Sequence, residues 1–270
     1  MKNHIERVKI ILTIQNHETH MKSHSKSNET KQCPLCGEYK LLCDSHILPE
    51  FIYRPAYDHT HTAVKIDINK NKLGKTQKGF SEWMLCTECE GLLNKWETYF
   101  ASVWFHEDHR LRPHKLEEDL IFIRGLDYKK FKLFHLSLIW RAGVSKRSEF
   151  DAVRIGLHAE KIRIMLCDEN PGEPEDYQFT CLALKDPKTL EFCDSLIRGF
   201  EASKLYGHRV YYVVFGGVIW AYWVSSHTFN RQVPPCFQKD GTLIIAVQDW
   251  DKNLLIQDLA KYMKKIGAIQ

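Results

Sequence analysis

The residues of this chain best suited to chemistry lie between Cys33 and Glu97. Two Cys-x-x-Cys pairs stand there, Cys33/Cys36 in CPLCGEYK and Cys86/Cys89 in LCTECE. Four thiolates at this spacing can close a tetrahedral Zn²⁺ site and hold together a module with too little apolar material to fold alone. Such a site has no open position for water, so the zinc is structural and any catalysis needs a second centre. Between the pairs sits one histidine in a short apolar run, His46 in DSHILPEF. After the second pair come Glu90, Asn94 and Glu97, which on a helix fall at i, i+4 and i+7 within one narrow sector. Two carboxylates and an amide oxygen make a hard oxygen set suited to Mg²⁺ or Mn²⁺.

These residues need elements to position them. The first 30 residues read as a flexible polar leader: Ile5, Val8, Ile11 and Leu12 form a turn-spaced stripe, and QNHETHMKSHSKSNETKQ after it is nearly devoid of apolar side chains. The histidines of that run read as solvated, and translation could begin at Met1 or Met21. Residues 31–118 form the zinc-clipped module. In it, Lys40 to Phe51 is expected to make a strand or hairpin arm ending at Pro49, Ala63 to Ile68 a strand, and Asn69 to Gly79 a Lys-rich loop. A helix is expected from Thr87 to about Phe105, with Leu93, Trp96, Phe100 and Val103 on one side, followed by a charged connector.

Residues 119–270 carry no such cysteine logic and read as a separate α+β domain with a mostly antiparallel sheet. Tyr128 to Arg141 and Phe150 to Leu166 have helical spacing, and DENPGEPEDY is a loop. Phe179 to Leu184 is expected as a strand and Lys188 to Ala202 as a helix. HRVYYVVFGGVIWAYWVS is a hairpin turning at Gly216-Gly217, whose alternating aromatics read as core packing rather than base stacking. A strand at Leu243 to Val247 and a helix from Asp251, acting as cap, to Lys265 close the chain.

Nine cysteines with one regular spacing point to a reducing cytoplasm and one metal site rather than a disulfide framework. No run has the length of a membrane span, because Val210 to Val224 is broken at Gly216 and Gly217. The net charge of +4 does not by itself imply a nucleic-acid partner, so any basic surface must come from clustering. Lys65, Lys70, Lys72, Lys75 and Lys78 are such a cluster, and they read equally as a phosphate-tracking surface and as a soluble loop.

CPLC, SHILPEF and LCTECEGLLNKWE together resemble the zinc-supported branch of the HNH, or ββα-metal, endonucleases over about residues 33 to 100. In that family a β-hairpin carries a general-base histidine, and a helix starting at the second knuckle supplies a metal ligand. The resemblance implies that His46 is the base, that Cys33, Cys36, Cys86 and Cys89 hold Zn²⁺, and that Glu90, Asn94 and Glu97 are candidate ligands for a catalytic Mg²⁺ or Mn²⁺. The family usually has an acidic residue or a histidine immediately before the base. This chain has Ser45 there, with Asp44 one residue earlier on the face that strand alternation shares with His46. YKKFKLFHLSLIWRAGVS beside such a module is also similar to bacterial proteins encoded among antiviral defence genes. The implied activity is hydrolysis of nucleic-acid phosphodiesters, double-stranded DNA ahead of RNA. Residues 119–270 would then select substrate, bind a regulatory partner or join copies of the chain. The competing class is a zinc finger that binds nucleic acid or protein without catalysis.

Overall fold

The computed structural model describes residues 10–13, 29–67, 72–105, 116–117, 119–225 and 235–265. The first strand, β1 (Ile10–Thr13), lies within the stretch expected to be a flexible leader. It pairs in parallel with two strands far away in sequence, so its apolar residues form a strand and not the turn-spaced stripe. Residues 1–9 and 14–28, with Ile5, Val8 and the histidines, lie outside the described residues.

The clipped module follows. After β2 (Lys31–Gln32) and β3 (Tyr39–Lys40), the strand β4 (Leu42–His46) stops where Pro49 removes a backbone donor and opens the short helix α1 (Glu50–Tyr53). The expected arm from Lys40 to Phe51 is therefore a strand and a helix. Then come β5 (Ala63–Asp67), β6 (Lys72–Thr76), β7 (Ser81–Cys86) and the helix α2 (Thr87–Trp104). Strand β6 replaces the expected loop. KLGKT has little strand propensity of its own, but β5 offers it an antiparallel partner from Asp67↔Lys72 to Ala63↔Thr76. Strands β4 and β7 pair antiparallel, so α2 leaves directly from a two-stranded hairpin. In α2, Leu93, Trp96, Phe100 and Trp104 recur every three or four residues and are buried.

Strands β8 (Leu116–Glu117) and β9 (Leu120–Ile123) lead to α3 (Tyr128–Val144), capped by Asp127, whose carboxylate accepts from the Lys130 amide at 3.0 Å. All residues from Phe131 to Ala142 are buried, so α3 is a central helix covered on every side. The helical spacing of Phe150 to Leu166 produces a helix only at its C-terminal end, α4 (His158–Cys167). Strand β10 (Phe179–Lys185) precedes β11 (Leu196–Leu205), where the spacing predicted a helix. A register shift between Arg198 and Glu201 explains the misreading, since a bulge breaks the period-2 pattern and leaves Ile197 and Phe200 both buried. β12 (His208–Phe215) and β13 (Val218–Trp223) form the expected hairpin, with Gly216 and Gly217 both at positive φ, 59° and 77°. The chain closes with β14 (Leu243–Asp249) and α5 (Leu254–Lys265). Asp251 lies in a preceding 3₁₀ turn rather than at the start of the helix.

The fold is mixed α+β, and most strand pairs are antiparallel. Among the described residues the main sheet has ten strands in the order β6-β5-β1-β11-β12-β13-β10-β14-β9-β8. It crosses the boundary expected at residue 118, because β5 and β6 join the strands of the second half through β1. One apolar core likewise runs from Cys33 to Val247. Phe100 of α2 is its joint: its ring stacks on Phe134 of α3 with centroids 3.9 Å apart and meets Phe215 and Trp220 of the hairpin edge-on. At the end of α2 the Trp104 indole donates to the Gly216 carbonyl at 3.1 Å, an approach that a Cβ at Gly216 would block. Phe100→Ala is expected to lower stability by about 3–5 kcal/mol, measured by denaturant unfolding of the whole chain.

Candidate metal centre and histidine site

The first knuckle folds because Gly37 accepts φ +81°, letting its amide reach the Cys33 carbonyl at 2.8 Å while the Cys33 amide reaches Glu38 O at 2.8 Å. The second knuckle straddles a strand-to-helix junction, with Cys86 ending β7 and Cys89 in the first turn of α2. The four sulfurs lie within 4.8 Å of one another. Cys36 and Cys86 Sγ are 3.8 Å apart, which is the edge expected of a tetrahedron with Zn–S bonds of about 2.3 Å. The four cysteines could therefore bind a metal ion such as zinc. Burial pushes the Cys86 thiol up to about 11 and raises Cys89 further. Burial also raises Cys33, but the Cys36, Cys86 and Leu35 amides donating to its sulfur prevail and lower it. A bound cation would deprotonate all of them. Helix α4 buttresses this clip: Arg163 donates to the Leu35 carbonyl at 2.8 Å, and the Cys167 thiol reaches the same oxygen at 3.3 Å.

His46 stands at the end of β4, opposite Ser81 of β7, with its side chain about one-third exposed. Alternation separates its neighbours as expected. Asp44 is exposed on the same side of the strand, and Ser45 points into the protein. The Ser45 hydroxyl accepts from the Leu85 amide at 3.0 Å and donates to Cys43 O at 3.3 Å, bridging the strands beside their register shift. One turn on, Glu50 at the start of α1 faces the histidine, with Oε2 3.3 Å from His46 Nε2. Its carboxylate also accepts from the Tyr57 hydroxyl at 2.7 Å and the Gly79 amide at 3.2 Å, and His61 Nε2 lies 3.9 Å away. Burial, and then the Glu50 carboxylate, push the Tyr57 phenol up, so it stays a donor. Sequence reading passed over Glu50. The signal was there, a glutamate four residues after His46 and directly after a proline that opens a helix.

The helix residues have separate fates. Glu97 pairs with the buried Arg141 of α3 at 2.8 Å, and Arg141 also donates to the His46 carbonyl at 2.7 Å. Asn94 is exposed, and Glu90 is half-buried with Oε1 completing no hydrogen bond. Among the described residues the four cysteines are the one group of three or more potential ligands gathered closely enough for an ion. Asp44, His46, Glu90 and Glu97 do not form a second. Of the lysine cluster, Lys65 lies half-buried on β5 with its ammonium 4.8 Å from the Phe80 ring centre, and Lys75 and Lys78 are exposed. Lys70 lies outside the described residues. The hairpin aromatics Tyr211, Trp220, Tyr222 and Trp223 are buried, and His135 is enclosed among rings with Nδ1 2.8 Å from the Tyr222 hydroxyl. No helix among the described residues is long and apolar enough to cross a membrane.

Comparison with protein-family models, with curated proteins and with solved structures finds no match to this chain.

Two outcomes are expected. Purified wild-type protein should carry about one zinc per chain, and Cys33→Ser or Cys89→Ser protein well below that, measured by elemental analysis. Glu97→Ala, which strands the Arg141 charge in the interior, should cost about 3–5 kcal/mol in denaturant unfolding.

Proposed function

We propose that this chain is a zinc-clipped nuclease of the HNH, or ββα-metal, type that hydrolyses phosphodiester bonds in nucleic acid, with DNA as the preferred form. The observation that carries the reading is the His46–Glu50 pair, set at the end of a hairpin strand whose partner strand runs through the cysteine clip into α2. A histidine with one ring nitrogen on a carboxylate is held in a single tautomer, its other nitrogen left with the lone pair. Here Glu50 would accept the Nε2 proton and leave Nδ1 as the base. Nδ1 would take a proton from water, the hydroxide would attack phosphorus, and the bond to the leaving oxygen would break. The imidazolium formed would be stabilised by Glu50, itself oriented by the Tyr57 hydroxyl and the Gly79 amide.

The reading includes Mg²⁺ or Mn²⁺ as the ion of the reaction. In the present arrangement the expected ligands do not fit it as a group, since Glu97 is the counter-ion of Arg141 and, among the described residues, Glu90, Glu97, Asp44 and His46 gather into no cluster close enough for an ion. The proton-transfer and orienting roles therefore fall to the chain's own side chains. A cytoplasmic bacterial defence effector is the setting that agrees with free cysteines and with the resemblance of the α3 run.

Wild-type protein with Mg²⁺ or Mn²⁺ should nick supercoiled plasmid. His46→Ala should lower the rate by roughly 10²–10⁴-fold with its zinc retained. Glu50→Gln, which keeps shape and loses the charge facing the ring, should lower the rate without weakening DNA binding. Cutting by His46→Ala at the wild-type rate would sink the nuclease reading and leave a zinc finger that binds without catalysis.

A further inference from the structure

We propose that the cleft under Phe80 is a built subsite for a phosphate of the nucleic-acid strand, next to the phosphate presented to His46. The inference rests on the nuclease reading for its ligand, and on features of its own for its place. A cavity of about 180 Å³ opens there, lined among others by Tyr53, Lys65, Lys78, Gly79, Phe80 and Arg147. Three of these six carry a positive charge, and no carboxylate lines the cavity. Two carboxylates stand behind the wall: Glu149, nearly buried, pairs with Arg147 at 2.8 Å, and Glu50 accepts from the Gly79 amide at 3.2 Å. The Glu149 pair uses one arm of the guanidinium, while NH1 donates to the Ser81 carbonyl at 3.0 Å. The lining side chains themselves thus include cations and no carboxylate, with both carboxylates set behind them.

Two buried polar groups on lining residues have no acceptor for their proton, the Tyr53 hydroxyl, which has only the Phe80 amide beside it, and Arg147 Nε. Tyr53 is 1% exposed, so its hydroxyl cannot turn to bulk solvent. Buried polar atoms are seldom left unpaired without a reason, and both of these belong to residues that line the cavity, so that a small turn of either side chain would offer its donor to an acceptor there. Burial raises the Tyr53 phenol, against a smaller lowering by the Phe80 amide, which keeps the hydroxyl protonated and able to donate. The wall thus presents donors on cations and a phenol, matching a group whose outer atoms are all acceptors. Phe80 orders the cations: the Lys65 ammonium lies 4.8 Å and the Arg147 guanidinium 5.3 Å from its ring centre. Gly79 permits the arrangement, because a Cβ there would lie 2.2 Å from the Tyr53 ring.

The position of the cleft is what makes it a subsite. Its wall from Gly79 to Ser81 is also the wall of the histidine site. The Gly79 amide donates to Glu50, the Phe80 carbonyl accepts from the Ile47 amide at 2.9 Å, and Ser81 is the strand partner of His46. A strand with one phosphate at His46 would have a neighbouring phosphate within reach of the cleft. Arg147 comes from the segment after α3, so the subsite joins the first half of the chain to the second.

The test uses full-length protein carrying His46→Ala, which keeps the substrate intact, and a short fluorescein-labelled DNA duplex read by anisotropy over a salt series. Adding Lys65→Ala and Lys78→Ala should weaken binding to different sequences alike and reduce the slope of log affinity against log salt by about 1. Arg147→Met should do the same where zinc content and melting temperature match the parent. Lys188→Ala, on the turn before β11, controls for loss of charge alone and should leave the slope unchanged. The same slope and affinity in the Lys65/Lys78 variant as in the parent would overturn the subsite, and so would a parent that binds no duplex. Binding that depends on the cleft in a chain that never cuts would leave the subsite standing and remove the nuclease reading instead.

Discussion

A single buried guanidinium ties the two halves of this chain together at its site. Arg141 is 1% exposed on a helix covered on all sides, and a charge so placed is tolerable only when a counter-ion and hydrogen-bond acceptors meet it. It meets this through Glu97 on α2, the His46 carbonyl on β4 and its own helix at Ser137, whose carbonyl and hydroxyl both lie 3.4 Å from guanidinium nitrogens. The strand end that carries the histidine is thereby pinned to the central helix from one side. From the other side it is held by the hairpin bonds to β7. Had Arg141 been a leucine, Glu97 would be a free helix carboxylate of the kind that could bind a hard cation. With Arg141 present, Glu97 is the counter-ion that makes the buried charge tolerable.

The cysteine clip and the aromatic core divide the remaining work. The four cysteines bring the first knuckle against the β7–α2 junction, where Leu35, Met84, Leu85 and Leu93 are buried beside them in the main core. Beyond the first turns of α2 the packing is conventional, with Phe100 and Trp104 lying against α3 and the β12–β13 hairpin. The segment inserted between β4 and β7 goes elsewhere again, since β5 and β6 extend the main sheet beyond β1. A module read from residues 31–118 alone would thus lose the strand partner of β5, the Arg163 support of the first knuckle and the aromatic seat of α2.

How much of this could be read in advance follows from the range of the forces involved. The knuckles, α2, α3, β10, the Gly-Gly hairpin and β14 carry local signals, in the form of spacing, capping and turn chemistry, and each formed where expected. The misreadings are those where partners at long range decide. Lys72 to Thr76 becomes a strand because β5 is beside it, and Ile10 to Thr13 because β5 and β11 flank it. Lys188 to Ala202 misled because a bulge imitates helical spacing. Of the site, His46 and the cysteines stand out by type and spacing. Glu50 was hidden by its ordinariness, and Arg141 by the fact that its partners on other elements, Glu97 and His46, lie 44 and 95 positions away.

The position before the histidine shows why the local pattern departs from the resemblance. Residue 45 points inward at a strand irregularity, where its side chain must accept from the Leu85 amide within a buried hairpin. A hydroxyl does this with little desolvation, whereas an aspartate or glutamate there would be a buried charge facing the Cys43 carbonyl oxygen. The acidic partner of His46 comes instead from the next turn. Pro49 ends the strand and starts α1, and Glu50 is carried to within 3.3 Å of the ring. Moving the carboxylate from the preceding residue to the fourth residue after the histidine changes what it can do. Bound to a ring nitrogen, a tyrosine and a backbone amide, Glu50 is placed to orient the imidazole rather than to hold an ion.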